Sequence, residues 1–299
     1  MCIYFLKGVT KNYIWGGDKL NGFYKYNVND KIAESWELSF FPGNESIILY
    51  GEHAGKKLSE VVSESELGSN IHNHPFFPIL IKFIDANDDL SIQVHPSDEY
   101  ALKYENSYGK TEMWYVIDAD ENSYLHIGFN KDVTKEEVEE RIKNNKVLDI
   151  LNHYQVKKGD CFFIPAGTIH AIGKGCLVYE VQENSNLTYR VYDYNRVDKD
   201  GNPRELHIEK ALNVLDLNKF EITVNSAKNL ANCKYFEVFK DNNLSKIETD
   251  DKSFACLSIL EGSGEINGLR YQKGDTIFIG ANSVYEISGD NEIIVAKMN

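Results

Sequence analysis

The sequence predicts a mainly β fold with helical insertions, and three observations support that class. Residues 159–170 read as a turn, a short apolar strand and a second tight turn that ends at His170. Many other apolar segments are equally short and are bounded by Gly, Pro, Asn or Asp, as antiparallel strands are. The layout of residues 159–170 recurs at residues 274–285, where Tyr285 stands in the place of His170. This repeat predicts two similar β units in one chain.

The composition limits what the chain is expected to bind. It has 299 residues and a formal net charge of −14, so neither nucleic acid nor an anionic membrane is an expected partner. No apolar stretch approaches the ~20 residues of a membrane span. The first six residues are too short for the apolar core of a signal peptide. The cysteines form no Cys-x-x-Cys pair, so we expect reduced thiols and a cytoplasmic location; they are Cys2, Cys161, Cys176, Cys233 and Cys256.

Two predicted strands that follow each other in the sequence carry polar side chains on one face. Gln93 and His95 are two residues apart in the first strand, and Lys110 and Glu112 are two apart in the second. Side chains two apart on a strand point the same way, so each pair shares a face. If both faces and His170 line one interior, two histidines, a carboxylate and an amide converge. Such a set is a credible shell for zinc, manganese or iron(II).

Each ligand candidate also has a structural interpretation. A lone histidine beside apolar residues, as His170 is, is more often a hydrogen-bonded core residue. Glu112 alone is most simply a surface strand residue paired with Lys110. Because the three candidates His95, Glu112 and His170 fall in compatible positions, the ligand interpretation is favoured for the group.

Two further predicted strands add a carboxylate and an arginine. Glu180 is predicted on one strand, and Arg190 shares a face of the next strand with Thr188 and Tyr192. A buried arginine usually has a carboxylate partner, so one alternative is an Arg190–Glu180 salt bridge without catalysis. The other is that Arg190 binds an anion, for which its planar fork is suited.

The chain divides into two predicted domains. Residues 1–218 form the domain with the candidate metal ligands, and residues 219–299 form the second β unit. A helical stripe after a capping Thr134 predicts an insertion over about residues 131–153. A second apolar pattern predicts a linking helix over about residues 203–217.

Several motifs resemble those of known families. The Gly, Pro, Gly and His spacing of residues 159–170 resembles the second motif of cupins, which are small metal-binding β-barrels. Four longer motifs resemble type I mannose-6-phosphate isomerases, most closely the shorter bacterial form. They begin at Gln93, Gly109, Pro165 and Tyr189 and read QVHPSDEYA, GKTEMWY, PAGTIHA and YRVYDYNR. The likeness extends from Trp15-Gly16-Gly17 to His207, about the first two-thirds of the chain.

The resemblance implies a fold and a set of roles. Together with the repeat at residues 274–285, the cupin resemblance implies two cupin-like β-barrel (jelly-roll) domains with helical insertions. Because Tyr285 replaces the histidine in the repeat, the second domain is expected to lack metal ligands and to serve a structural role. The isomerase resemblance implies one zinc ion per chain, held by Gln93, His95, Glu112 and His170. It further implies that Arg190 is the active-site arginine and that Lys110 and Glu180 line the same pocket.

The activity implied is the zinc-dependent interconversion of mannose 6-phosphate and fructose 6-phosphate through a cis-enediol. Glu180 is then the expected base, and Lys174 or Arg196 are expected to help at the pocket rim. Two alternatives remain open at this point. One is a non-catalytic cupin that binds a sugar phosphate, and the other is an iron cupin oxygenase with the same ligands.

Overall fold

The computed structural model describes residues 2–23, 30–197, 201–222 and 228–299. These residues form a mainly β fold with few helices, as predicted. The strands are β1 (Ile3–Lys7), β2 (Val9–Lys11), β3 (Glu34–Leu38), β4 (Ile47–Ile48), β5 (Ile79–Ala86), β6 (Ile92–Val94), β7 (Glu112–Ala119), β8 (Tyr124–Phe129), β9 (Leu151–Gln155), β10 (Cys161–Ile164), β11 (His170–Ile172), β12 (Cys176–Glu183), β13 (Tyr189–Tyr192), β14 (Asn229–Asn232), β15 (Phe236–Asn242), β16 (Lys246–Glu248), β17 (Ala255–Ile266), β18 (Leu269–Gln272), β19 (Thr276–Ile279) and β20 (Val284–Met298).

The helices of the described residues are short. The α-helices are α1 (Leu58–Val61), α2 (Glu64–Leu67), α3 (Asp98–Tyr104), α4 (Lys135–Lys143) and α5 (Ile208–Val214), and the 3-10 turns are Lys19–Gly22, Ser69–Asn73 and Val147–Ile150. Ser97 caps α3 by accepting a hydrogen bond from the Tyr100 backbone N–H.

The strands form three antiparallel sheets. A six-stranded sheet runs β10-β7-β12-β5-β3-β2, and a five-stranded sheet runs β13-β6-β11-β8-β9. The largest sheet runs β14-β15-β20-β17-β19-β1-β4, with β16 on β20 and β18 on β17. Among the described residues no sheet closes on itself. The sheets are open and pack face to face, an arrangement compatible with the predicted jelly roll, and the division into two such units stays a prediction.

The apolar clusters show how the sheets are layered. One cluster joins the six-stranded sheet to the five-stranded sheet, with Trp114 and Val178 on one side and Ile127 and Ile172 on the other. A second cluster joins the opposite face of the six-stranded sheet to the largest sheet. A third lies under α4 and α5 on the outer face of the five-stranded sheet. The polar side chains of the candidate site therefore lie between the six- and five-stranded sheets.

Two helical predictions are corrected in extent. The insertion contains α4 and a 3-10 turn, but Leu151–Gln155 is strand β9, which pairs with β8. The linking helix is only Ile208–Val214, because residues before it are drawn into other contacts. Pro203 forms a β-bridge with Val197, and Arg204 binds the Asp193 carboxylate.

The two ends of the chain meet in one sheet. β1 pairs antiparallel with β19, with Ile3 opposite Ile279 and Leu6 opposite Thr276. The first strand is thus hydrogen-bonded into the sheet that contains most of the C-terminal residues.

Candidate metal centre and active site

The metal-ligand candidates lie on facing strands of two sheets. His170 begins β11, and its Cα partner on the neighbouring strand β6 is Gln93. His95 directly follows the last residue of β6 and precedes Pro96. Glu112 begins β7 of the six-stranded sheet on the opposite side. The structure brings together all four residues that the sequence analysis had grouped.

The turn before His170 is fixed by a glycine. The Gly167 N–H donates to the His95 carbonyl at 2.8 Å, which ties the two histidine-bearing segments together. Gly167 has a φ of +89°, and a Cβ there would lie 3.0 Å from the Val214 carbonyl oxygen. A residue with a side chain is therefore strained at this position. The turn sets where His170 enters the interior.

Three ligand atoms converge within 4.8 Å of one another, from His95, Glu112 and His170. His170 Nε2 lies 3.2 Å from His95 Nε2 and 3.2 Å from Glu112 Oε1. His95 Nε2 lies 3.7 Å from Glu112 Oε2. All three residues are buried, at 0–1% exposure. The interpretation of Glu112 as a surface residue is therefore wrong, although its pairing with Lys110 is confirmed.

The hydrogen bonds of the His95 and His170 imidazole rings determine which ring nitrogen carries the lone pair. His95 Nδ1 lies 2.7 Å from the Leu187 carbonyl, and His170 Nδ1 lies 2.8 Å from the Thr168 carbonyl. A carbonyl oxygen only accepts, so each Nδ1–H donates and each Nε2 of the neutral ring carries a lone pair. Burial and Lys110 lower the pKa of His170 to about 3 and hold the pKa of His95 well below its usual value. Both rings are therefore neutral.

This arrangement fits a divalent metal ion. Two imidazole lone pairs point at each other and at Glu112 Oε1, which accepts no hydrogen bond although it is buried. Unpaired buried acceptors are costly unless something satisfies them. A cation bound between the three atoms would do so, and backbone carbonyls that orient ligating histidines are typical of metal sites. The amide of Gln93 lies 3.5 Å from His170 Nε2, close enough to supply a further ligand.

Beside the cluster, charged side chains alternate in sign across the six-stranded sheet. Lys110 contacts Glu112, and its Nζ lies 3.5 Å from Glu180 Oε2. Glu180 Oε1 lies 3.1 Å from Lys82 Nζ, and Lys82 in turn lies 3.8 Å from Glu34 Oε2. The Trp114 indole N–H also donates to Glu180 at 2.8 Å. Each buried charge therefore has an opposite charge next to it.

The alternation explains the ionisation of this row. Burial by itself raises the pKa of Glu180, but Lys110 and Lys82 outweigh it and lower that pKa to about 2. Burial lowers the pKa of Lys82, but Glu180 and Glu34 outweigh it and raise that pKa above its ordinary value. For Glu112, burial dominates over Lys110 and raises the pKa to about 8. Glu180 and Lys82 are thus a charged pair.

Arg190 lies on the other side of the interior and does not pair with Glu180. Its Nη1 donates to the Glu205 carbonyl at 2.8 Å, and its Nε donates to Ser91 Oγ at 3.3 Å. Within the part of the chain that the structure describes, no carboxylate lies within 4 Å of its guanidinium. The predicted Arg190–Glu180 salt bridge is therefore wrong, because Lys82 and Lys110 occupy that carboxylate.

These groups surround a cavity of about 300 Å³. Its charged and polar lining includes Glu34, Lys82, Ser91, Gln93, His95, Lys110, Glu180, Arg190 and Arg204, and Tyr13, Trp15 and Trp114 form aromatic walls. Neither Lys174 nor Arg196 lines this cavity, so the expectation that they help at its rim is not supported. A cavity of this size holds a small polar molecule.

Comparisons with known proteins identify the family of the chain. Residues 3–130 match the model for the catalytic domain of type I phosphomannose isomerases. The chain is 36% identical to the mannose-6-phosphate isomerase ManA of Bacillus subtilis, with 98% of each chain covered. It is also 36% identical to a mannose-6-phosphate isomerase of Streptococcus mutans, with 99% of this chain and 98% of the relative covered. The chain belongs to the type I phosphomannose isomerase family.

Solved structures agree with that membership. The crystal structure of the Bacillus subtilis mannose 6-phosphate isomerase superposes with a TM-score of 0.86 at 34% identity, and 99% of each chain is covered. A phosphomannose isomerase structure from Salmonella typhimurium has a TM-score of 0.82 at 17% identity, which shows a shared fold. The resemblance drawn from the motifs is confirmed, and this family member is an enzyme. Within the described residues, no helix is long and apolar enough to cross a membrane.

Sequence analysis missed three charged residues of the site in this phosphomannose isomerase family member. Lys82 lies within the apolar strand β5, and only its cross-strand pairing with Glu180 shows what it does. Glu34 and Arg204 lie within the part of the chain that resembles the family, but the sequence analysis predicted no role for them. A lysine in the middle of an otherwise apolar run was the one available signal, since a buried lysine needs a partner. Tyr192, expected beside Arg190, packs instead in the outer cluster because the strand register shifts between the two residues.

Proposed function

We propose that this enzyme interconverts mannose 6-phosphate and fructose 6-phosphate. The observation that carries the proposal is the convergence of His95, Glu112 and His170 at a cavity that also holds Lys110 and Arg190. Family membership supports the reaction class, and the relatives named above are mannose-6-phosphate isomerases. The cavity supplies what a sugar phosphate needs, namely cations for its charge and polar groups for its hydroxyls.

We propose one zinc ion per chain, held by His95, Glu112, His170 and Gln93. Two imidazole nitrogens, a carboxylate oxygen and an amide oxygen suit the four-coordinate preference of zinc. The amide nitrogen and oxygen of Gln93 are interchangeable assignments, so the oxygen can face the ion. When bound, zinc supplies a Lewis acid that polarises the carbonyl and hydroxyl oxygens of the sugar without a redox change.

The proposed reaction moves a proton between C2 and C1 through a cis-enediol. Arg190 stabilises the oxygen on which negative charge develops, because no carboxylate of the described residues forms an ion pair with its guanidinium. A preorganised donor of this kind is worth roughly 3 kcal/mol in the transition state. Lys110, which lies between Glu112 and Glu180, donates to the sugar oxygens beside the metal site.

Glu180 has a different role from the one first expected. A general base needs a carboxylate that is free to take the proton, whereas Glu180 pairs with Lys82 and Lys110 and accepts a hydrogen bond from Trp114, and the two lysines hold its pKa below the usual value. We therefore assign Glu180 to holding Lys82 and Lys110 in place and charged, and not to removing the proton. Glu180 therefore remains an active-site residue in this proposal, and its role is to keep the two lysines charged and in position.

We also propose that residues 219–299 form a degenerate cupin-like domain with a structural role, whose sheet is completed by β1 and β4, beside a catalytic domain formed by the rest of residues 1–218. In support, Tyr285, which stands where His170 stands in the first unit, lies in an apolar cluster with Ile247, Ile277 and Ile293. Within the described ranges, the one group suited to a metal is in the first unit. In the described ranges the cysteines form no disulfide bond, which accords with a proposed cytoplasmic location.

The test is an assay of the purified enzyme with mannose 6-phosphate in heavy water, with fructose 6-phosphate measured by a coupled reaction. The proposal expects turnover together with deuterium on the carbon that receives the proton, because an enediol route exchanges with solvent. Turnover without any deuterium would contradict an enediol whose transferred proton exchanges with solvent. Binding of mannose 6-phosphate without turnover would favour a non-catalytic binding protein, and oxygen uptake by an iron-loaded form would favour an oxygenase.

A further inference from the structure

Arg204 lies at the cavity beside Arg190, and both side chains line it. Arg204 is held by Asp193: its Nε donates at 2.7 Å to one carboxylate oxygen and its Nη2 at 2.5 Å to the other. This bidentate pairing fixes the plane of the guanidinium. No contact of its remaining terminal nitrogen, Nη1, with another described residue is found within hydrogen-bond distance.

The charges around Asp193 do not balance. Arg196 also donates to that carboxylate, at 2.6 Å, so Asp193 serves two arginines and lies near a third, Arg190. Arg196 is further satisfied outside the cavity by the Asp89 carbonyl at 2.5 Å and the Asp88 carboxylate at 3.4 Å. Among the described residues, that leaves Arg190 and Arg204 with Asp193 as their shared buried negative neighbour, because the Glu205 carboxylate near Arg190 is 83% exposed to solvent. The cavity end that they line therefore carries an excess positive charge, which favours an anion.

The distance between this end of the cavity and the metal-ligand cluster suits the length of a hexose 6-phosphate. Ser91, Gln93 and His95 follow one another along the same face of the β6 segment, and Arg190 donates to Ser91. Residues two apart on a strand are separated by about 7 Å, so Ser91 lies about that far beyond Gln93 from the cluster. β13 runs antiparallel to β6, which places Asp193 and its arginines at the Ser91 end. A hexose phosphate with C1 and C2 at the cluster would direct its phosphate here.

We propose that Arg204, oriented by Asp193, binds the phosphate group of the substrate. The identity of the substrate rests on the proposed function, whereas the affinity of this end of the cavity for a phosphate monoester does not. Two N–H groups of Arg204 hold Asp193, and the free Nη1 donates to a phosphate oxygen. Asp193 is a positioning residue in this arrangement, whereas Arg196 contacts the same carboxylate from outside the cavity and has no part in binding the phosphate.

The test compares Arg204→Gln with Arg196→Gln, because both arginines bind Asp193 and only Arg204 lines the cavity. Loss of one charge-assisted contact is expected to raise KM for mannose 6-phosphate about 10- to 100-fold in Arg204→Gln. Its kcat is expected to stay within about threefold, and Arg196→Gln is expected to change KM less than about threefold. An equal KM rise in both variants, or a fall in kcat alone, would overturn the assignment.

A second readout does not depend on turnover. Inorganic phosphate is expected to raise the melting temperature of the parent enzyme and of Arg196→Gln, but not of Arg204→Gln at the same concentrations. If the parent binds phosphate and Arg204→Gln binds it equally well, the proposal is wrong; the same holds if the parent does not bind it. If Arg204→Gln does not fold, Arg204→Lys decides, since it keeps the charge but loses the bidentate fork and is expected to weaken phosphate binding. A parent that binds phosphate through Arg204 but does not isomerise the sugar would contradict the proposed function alone.

Discussion

Lys82 Nζ lies 3.1 Å from Glu180 Oε1, and the two residues face each other directly across β5 and β12. Both side chains are at most 5% exposed. Lys82 also lies over the Trp36 ring, with Nζ 5.1 Å from its centroid, and the Trp36 indole donates to Glu34 at 2.7 Å. The Lys82–Glu180 pair therefore lines the cavity and is surrounded by side chains that are themselves held by hydrogen bonds.

Lys82→Met is expected to lower the free energy of unfolding by about 3–5 kcal/mol, because it leaves Glu180 buried without its nearest cation. Urea unfolding followed by circular dichroism measures the change. Lys143→Met is the control, since Lys143 forms an exposed pair with Glu139 on α4 that contributes little. Equal stability of Lys82→Met and the parent would show that the buried pair is not structurally important.

His170→Ala is expected to abolish metal binding and activity, because it removes one of three converging ligands. Metal content by mass spectrometry is expected to fall from about one ion per chain to near zero, as for a single site. Zinc is expected to raise the melting temperature of the metal-free parent but not of the variant. His153→Ala, at an exposed position on β9, is the control and should retain metal. A fully loaded His170→Ala protein would remove His170 from the site.

Arg190→Ala is expected to retain its metal and to lose kcat by about 100- to 1,000-fold, as when one donor to a developing anion is removed. Arg190 lies across the interior from Glu112, and its side-chain hydrogen bonds go to Ser91 and the Glu205 carbonyl, neither of which is a proposed metal ligand. Steady-state kinetics and metal analysis on one sample separate the two effects. Arg270→Ala, on the exposed strand β18, is the matched control. A near-normal rate in Arg190→Ala would exclude this arginine from the mechanism.

Glu183 makes stability depend on pH. Burial and the Asp98 carboxylate raise its pKa to about 9, from 4.5. The folded protein thus keeps a proton that the unfolded chain releases, so this group reduces stability progressively as pH rises from about 4.5 to about 9, by up to about 1.4 kcal/mol per pH unit. Glu183→Gln mimics the protonated acid, since its oxygen can still accept from the Thr111 N–H.

The variant is therefore expected to match the parent near pH 5 and to be more stable than the parent at pH 8. Thermal unfolding across that range measures the difference, with the exposed Glu139→Gln as control. A constant difference between Glu183→Gln and the parent at every pH would contradict a raised pKa.

The local structure of the site could be predicted from the sequence. The side-chain alternation that placed Gln93 with His95 and Lys110 with Glu112 depends only on strand geometry. The turn at Gly167 is a property of neighbouring residues. Those features gave the correct grouping of the metal-ligand candidates before any long-range contact was known.

The features that were missed depend on contacts between distant segments. Lys82 pairs with Glu180, 98 positions later in the sequence numbering, and that pairing leaves Arg190 without the carboxylate expected for it. Residues 203–207 carry part of a helical pattern, but Arg204 binds Asp193 and holds that segment outside α5. Helix propensity is weak compared with such tertiary contacts.

The central claim is that one zinc ion at His95, Glu112 and His170 supports isomerisation of mannose 6-phosphate. The most direct measurement titrates zinc into the metal-stripped enzyme while fructose 6-phosphate formation is followed. We expect negligible activity without metal, a linear rise with added zinc and a plateau at about one ion per chain, as a single four-ligand site requires. Full activity in the stripped protein, or one bound zinc per chain without turnover, would contradict the claim.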